Sequence, residues 1–151
     1  MNSESSAFEY REHPDHPGWH TWRLRDETRF NPVVMGDLLV RTEGDRCRLR
    51  MFPERRHTNL QDMIHGAVTL ALIDISLFAA MRTLTDGDAG PAVTLELSTQ
   101  FIGAGKVDEP LDAVVEVLRE TGRLLFLRGE VVQRDHLVAG FTALVRKASR
   151  K

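Results

Sequence analysis

The chain has one cysteine, Cys47, so no disulfide can close within it. A free thiol suits a reducing compartment, and the protein reads as cytoplasmic. Charge of neither sign dominates: 20 Lys and Arg stand against 22 Asp and Glu. The basic footprint of a nucleic-acid binder is therefore missing. Residues 1–10 do not read as a secretory signal, since they carry two glutamates, three serines and no apolar run. Only one long hydrophobic stretch exists, which argues against a membrane protein. With 42% hydrophobic and 28% charged residues, the chain is neither disordered, collagen-like nor a disulfide scaffold. At 151 residues it makes one domain, with a core of ordinary size.

Residues 1–30 read as an N-terminal arm. His13, Pro14, Asp15, His16, Pro17 and Gly18 break any regular element, and Trp19, Trp22 and Leu24 pin the arm to the body. His13, His16 and His20 have a loose metal-like spacing. The prolines between them prevent a shared helix, and no carboxylate or thiol completes a set, so no metal site is expected. The compact domain spans 31–148, and 149–151 is a short basic tail.

Within the domain, residues 38–42 and 46–51 form a hairpin around Glu43-Gly44-Asp45. Cys47, Leu49 and Met51 alternate with Arg46, Arg48 and Arg50, which predicts one apolar and one solvated face. Residues 63–84 are different. From Met63 to Met81 the only formally charged residue is Asp74, and no tidy apolar stripe is visible. A helix apolar all round is either buried or membrane-spanning, and a charge at mid-span is costly in lipid. Burial in protein is the better reading. Four strands follow, near 92–102, 111–119, 124–133 and 137–146. The fold class is α+β: an antiparallel sheet of about six strands wrapped around one long central helix.

Two features of the helix carry chemistry. Asp74 is a carboxylate in a buried helix, which needs a partner or a purpose. Gly66, at the helix start, lets a substrate oxygen approach an unsatisfied backbone N–H. Each has a plainer reading, as a hydrogen-bonded structural aspartate and a tightly packed glycine. Eight residues separate them, a rise of about 12 Å, so one small reacting group cannot touch both on one helix. If both act on one carbonyl, two antiparallel helices must supply them across a two-fold axis. The site then requires a homodimer.

Asn59, His65-Gly66-Ala67, Asp74, Thr94 and the loop from Phe101 to Pro110 together resemble the hotdog-fold acyl-CoA thioesterases of the phenylacetate-pathway type. The resemblance begins at Phe30-Asn31-Pro32 and covers about three quarters of the chain. It implies hydrolysis of an acyl-CoA thioester to a carboxylic acid and coenzyme A. It makes Asp74 the nucleophile or the general base and the Gly66 N–H the polarising donor. It gives Asn59 and His65 the orientation of the thioester, and Thr94 a hold on the attacking water or the carboxylate. A homotetramer is implied, and no cofactor, since coenzyme A belongs to the substrate. Arg55, Arg56 and Lys106 are candidates for its phosphates.

The chain departs from the family at two places. The common His-Gly-Gly is His-Gly-Ala here, so Ala67 narrows the acyl pocket or alters the approach to the helix. Asp108-Glu109 replaces the usual glycine and acid after Phe101. Two other readings keep the fold: a dehydratase or hydratase, and an acyl-CoA-binding domain without turnover.

Overall fold

A computed structural model describes residues 7–87 and 91–148. The basic tail at 149–151 and the first six residues of the arm lie outside these. The arm supplies β1 (Phe8–Glu9), β2 (His20–Thr21) and β3 (Arg23–Leu24), then a π-helical turn over Asn31–Met35. The body follows: β4 (Leu38–Glu43), β5 (Arg46–Met51), a 3-10 turn (Arg55–His57) and α1 (Gly66–Leu84). It ends with β6 (Val93–Phe101), β7 (Leu111–Glu120), β8 (Leu124–Gln133) and β9 (His136–Arg146). One sheet runs β2-β4-β5-β7-β8-β9-β6, and its pairs are antiparallel throughout. It has seven strands rather than six, because β2 of the arm pairs with β4 through His20–Val40 and Thr21–Leu39. A two-residue strand carries too little pattern to be read from sequence.

Local chemistry sets each element. The β4–β5 hairpin turns on Gly44, whose φ of +64° suits a glycine at the first position of a two-residue loop. Helix α1 has no proline, and its only glycine is its first residue. At its end, the Thr85 N–H and hydroxyl both donate to the Met81 carbonyl. By length and composition this helix could cross a membrane, yet it lies in the core. Leu72, Ile73, Leu77, Ala80 and Met81 pack there with Leu49, Met51, Ala113, Val115, Leu127 and Val145 from the sheet. Cys47 is wholly buried, and burial pushes its thiol up to about 11. It is a core residue and no nucleophile at neutral pH.

Gly129 on β8 faces this core opposite Phe141 on β9. A Cβ there would sit 2.3 Å from the Val114 carbonyl oxygen and 2.5 Å from Phe141 Cζ. Backbone and ring would both have to move. Gly129→Ala is therefore expected to destabilise the fold by about 3 kcal/mol, read as a lower urea midpoint at unchanged slope. An unchanged midpoint would contradict this packing.

The arginine face of β5 is paired rather than solvated. Asp112 on β7, 2% exposed, accepts from Arg50 Nε and Nη2 at 2.7 and 2.8 Å and from Arg48 Nη1 at 2.9 Å. Arg48 also bonds Glu43, and Arg46 and Arg128 bond Glu116. Burial opposes ionisation of Glu43, yet Arg48 and Arg41 hold its carboxyl below the usual range. Trp19 of the arm stacks on this network, its ring 4.3 Å from the Arg41 guanidinium and 4.6 Å from that of Arg50. Alternation located the arginines, but their partners come from other strands.

Candidate active site

The sheet does not enclose α1 completely. Ala67, Leu70, Ala71, Asp74 and Phe78 are exposed or half-buried, at spacings that place them along one helix face. That face is apolar except for Asp74. Thr94 of β6 donates from Oγ1 to Asp74 Oδ1 at 2.6 Å, so one carboxylate oxygen is held and Oδ2 is left for other work. The pair depends on a bulge. Thr94 pairs with Val145 and Glu96 with Leu144, so Leu95 is an extra residue in β6. Such bulges bend a strand and re-aim a side chain, and this one lies beside Thr94.

At the other end of the open face, His65 caps α1. Its Nδ1 accepts the Ala67 N–H at 3.0 Å, which leaves the ring N–H on Nε2 of this exposed residue. The Val68 and Thr69 N–H groups donate to the His65 carbonyl, while the Gly66 N–H meets no acceptor among the described residues. Glycine is not forced on position 66 by the single chain. Its φ is not positive, and an added Cβ would meet the Phe101 ring at an ordinary 3.4 Å. The absent side chain leaves room for something outside the chain.

The loop before the helix is built on Asn59. Its Oδ1 accepts the Gln61 and Met63 N–H groups at 2.9 and 3.2 Å, which leaves Nδ2 as a donor. An open depression of about 740 Å³ lies here, lined by Arg55, Thr58, Asn59, Leu60, Gln61, Asp62 and His65. Arg55 makes no ion pair there among the described residues. Arg56 is committed elsewhere, to Glu54 at 3.2 Å and to the Val33 carbonyl at 2.7 Å. The Lys106 side chain is exposed, and its backbone pairs with Met63. A second hollow, of about 450 Å³, lies between the arm and β4 and touches none of these candidate residues.

Structure thus joins Thr94 to Asp74, and groups Asn59, His65 and Arg55 near Gly66. It keeps the two groups apart within one chain, separated by a helix rise of about 12 Å. Two polar residues at the base of the site are not evident from sequence. His57 is 1% exposed: its Nδ1 accepts the Glu54 N–H and its Nε2 donates to the Val34 carbonyl. Gln133, 2% exposed, ends β8. The sequence places Gln133 at the end of a strand but does not show what its side chain bonds, because its partners lie in a distant loop. His136 is exposed and bonds the Ala104 carbonyl through Nε2.

A single antiparallel sheet curled around one apolar helix, with the strand after that helix on its far edge, is the hotdog fold. Residues 61–139, just over half of the chain, match the model of the thioesterase superfamily, and the chain belongs to that superfamily. A curated relative, acyl-coenzyme A thioesterase 13 of Mus musculus, is 26% identical over 98 residues, 64% of this chain and 68% of the relative. Among solved structures, a variant of the phenylacetic acid degradation protein PaaI from Thermus thermophilus superposes with a TM-score of 0.61. It is 25% identical, covering 74% of this chain and 93% of that one. A hypothetical thioesterase with coenzyme A from Streptococcus pneumoniae gives 0.65 at 18% identity, over 74% and 86%.

Proposed function

We propose that this protein is an acyl-CoA thioesterase with two equivalent sites in a homodimer. The observation that carries the reading is the split arrangement on one helix. An acid held by Thr94 and an open amide at Gly66 share a face that the chain's own sheet leaves uncovered. A two-fold axis through that face sets the Gly66 of one helix against the Asp74 of its partner. The uncovered surface continues on the edge strand, where Val93, Leu95 and Phe101 are 42%, 49% and 57% exposed. An unpaired apolar edge suits a second copy of the chain.

In the reaction, the thioester carbonyl oxygen accepts from the Gly66 N–H at the positive end of α1. The charge that develops on that oxygen is stabilised there more than the ground state is. Asp74 of the partner takes a proton from water as it attacks, or attacks the carbonyl itself and is then freed by water. Either way the carbonyl–sulfur bond breaks, and water and thioester become a carboxylic acid and a coenzyme A thiol. Asn59 Nδ2 and His65 Nε2 are donors that orient the thioester. Arg55 lines the depression beside them and suits a coenzyme A phosphate. Support for this substrate comes from the relatives named acyl-coenzyme A thioesterase and thioesterase with coenzyme A.

Release of free coenzyme A from short, medium, long and aromatic acyl-CoAs tests the reading. Turnover of one class is expected, and its length defines the acyl pocket. Binding of acyl-CoA without release would instead make the protein a carrier of the ligand.

A further inference from the structure

The three residues before α1 are the middle strand of a small ribbon. On one side the His65 N–H donates to the His57 carbonyl at 2.8 Å, and Thr58 bridges Ile64. On the other, the Ile64 N–H donates to the Gly105 carbonyl at 2.9 Å, and Met63 bridges Lys106. Gly105 packs tightly on Ile64: an added Cβ would fall 2.9 Å from Ile64 Cδ1 and 3.2 Å from its Cβ, so the Ile64 side chain would have to shift. So the direction in which the Gly66 N–H points is set by these two outer segments.

Each outer segment is tied down by one buried polar side chain. His57 fastens the first to the Val34 carbonyl, at 2.6 Å, and to the Glu54 N–H. Gln133 fastens the second. Its Oε1 accepts the Lys106 N–H at 2.7 Å, and its Nε2 donates to the carbonyls of Lys106 at 2.7 Å and Glu109 at 3.1 Å. Glutamine is the only uncharged side chain long enough to present one acceptor and a two-hydrogen donor in this way. Neither residue reaches the open face of the helix, so neither touches the reacting atoms.

We infer that Gln133 and His57 are positioning residues, which hold the ribbon before α1 and thereby aim the Gly66 N–H at the thioester carbonyl. This rests on the hydrolase reading above. Misplacing a donor by about 1 Å is enough to lower a rate about 100-fold.

Gln133→Met removes all three bonds at nearly constant volume. We expect kcat to fall about 10- to 100-fold with KM within about twofold, since substrate binding elsewhere is untouched. Amide exchange at Ile64 and His65 should accelerate about tenfold while the core strands stay protected. Gln133→Glu keeps the Lys106 acceptor but sets a buried carboxylate oxygen against the Lys106 and Glu109 carbonyls; it is the harsher companion and should shift both readouts the same way. Val40→Ala, a core cavity on β4, serves as a control matched in stability, and its kcat should stay at the wild-type value. Unchanged exchange at Ile64 and His65, unchanged kcat, or an equal kcat loss in Val40→Ala would each overturn the positioning role. Wild-type turnover in Asp74→Asn, measured alongside, would instead overturn the hydrolase reading itself.

Discussion

Asp74→Asn is expected to fold normally and to lose about 10³-fold in kcat, with little change in KM. The amide is almost the same shape as the carboxylate. Its Oδ1 still accepts from the Thr94 hydroxyl, which now holds Asp74 at 2.6 Å, so the anchor on β6 survives. What is lost is chemical. An amide neither takes a proton from water at neutral pH nor attacks a carbonyl. Thiol release from saturating acyl-CoA, beside a thermal melt, separates this loss from unfolding. Turnover near the wild-type level would remove Asp74 from the mechanism.

Gly66→Pro should be nearly as damaging, at about 10²- to 10³-fold in kcat, for a different reason. Proline deletes the one backbone N–H at the helix start that has no acceptor among the described residues. First helical positions tolerate proline. His65 before it is already extended, at φ −63° and ψ 136°, as a residue preceding proline prefers. The nearest heavy atoms to an added Cβ are those of the Phe101 ring, at 3.4 Å, so little needs to move. Gly66→Ala keeps the N–H and separates its loss from the effect of added bulk. If proline left kcat unchanged while alanine did too, the oxyanion donor would lie elsewhere.

The fold was legible where one chemical pattern covered a whole element. The run from Met63 to Met81 marked a buried helix because a single charge interrupts it. The alternation of Cys47, Leu49 and Met51 with arginines marked a half-buried strand. Asp74 and Gly66 stood out for related reasons: an acid in an apolar helix and a glycine at its start both need explaining. The eight residues between them, a rise of about 12 Å, already call for two chains if both act on one carbonyl. What stayed hidden depends on contacts distant in sequence. Asp112 is 64 residues from Arg48, and nothing local marks it as the acid that neutralises the arginine face. Gln133 reaches back 27 residues to Lys106. The bulge at Leu95 is a matter of register with β9, which no residue type in β6 announces.

The central claim is that each site takes its amide from one chain and its acid from the other. Co-expression of Gly66→Pro with Asp74→Asn tests it most directly. Each variant alone is expected to be nearly inactive. In a mixed dimer, the Asp74→Asn chain supplies an intact Gly66 N–H, and the Gly66→Pro chain supplies an intact Asp74, so one of the two sites is whole. With random pairing, thiol release should recover to about one quarter of the wild-type rate per chain. If the mixture stays as inactive as its separate components, while native mass spectrometry confirms mixed dimers, the two groups do not meet across an interface and the shared site is wrong.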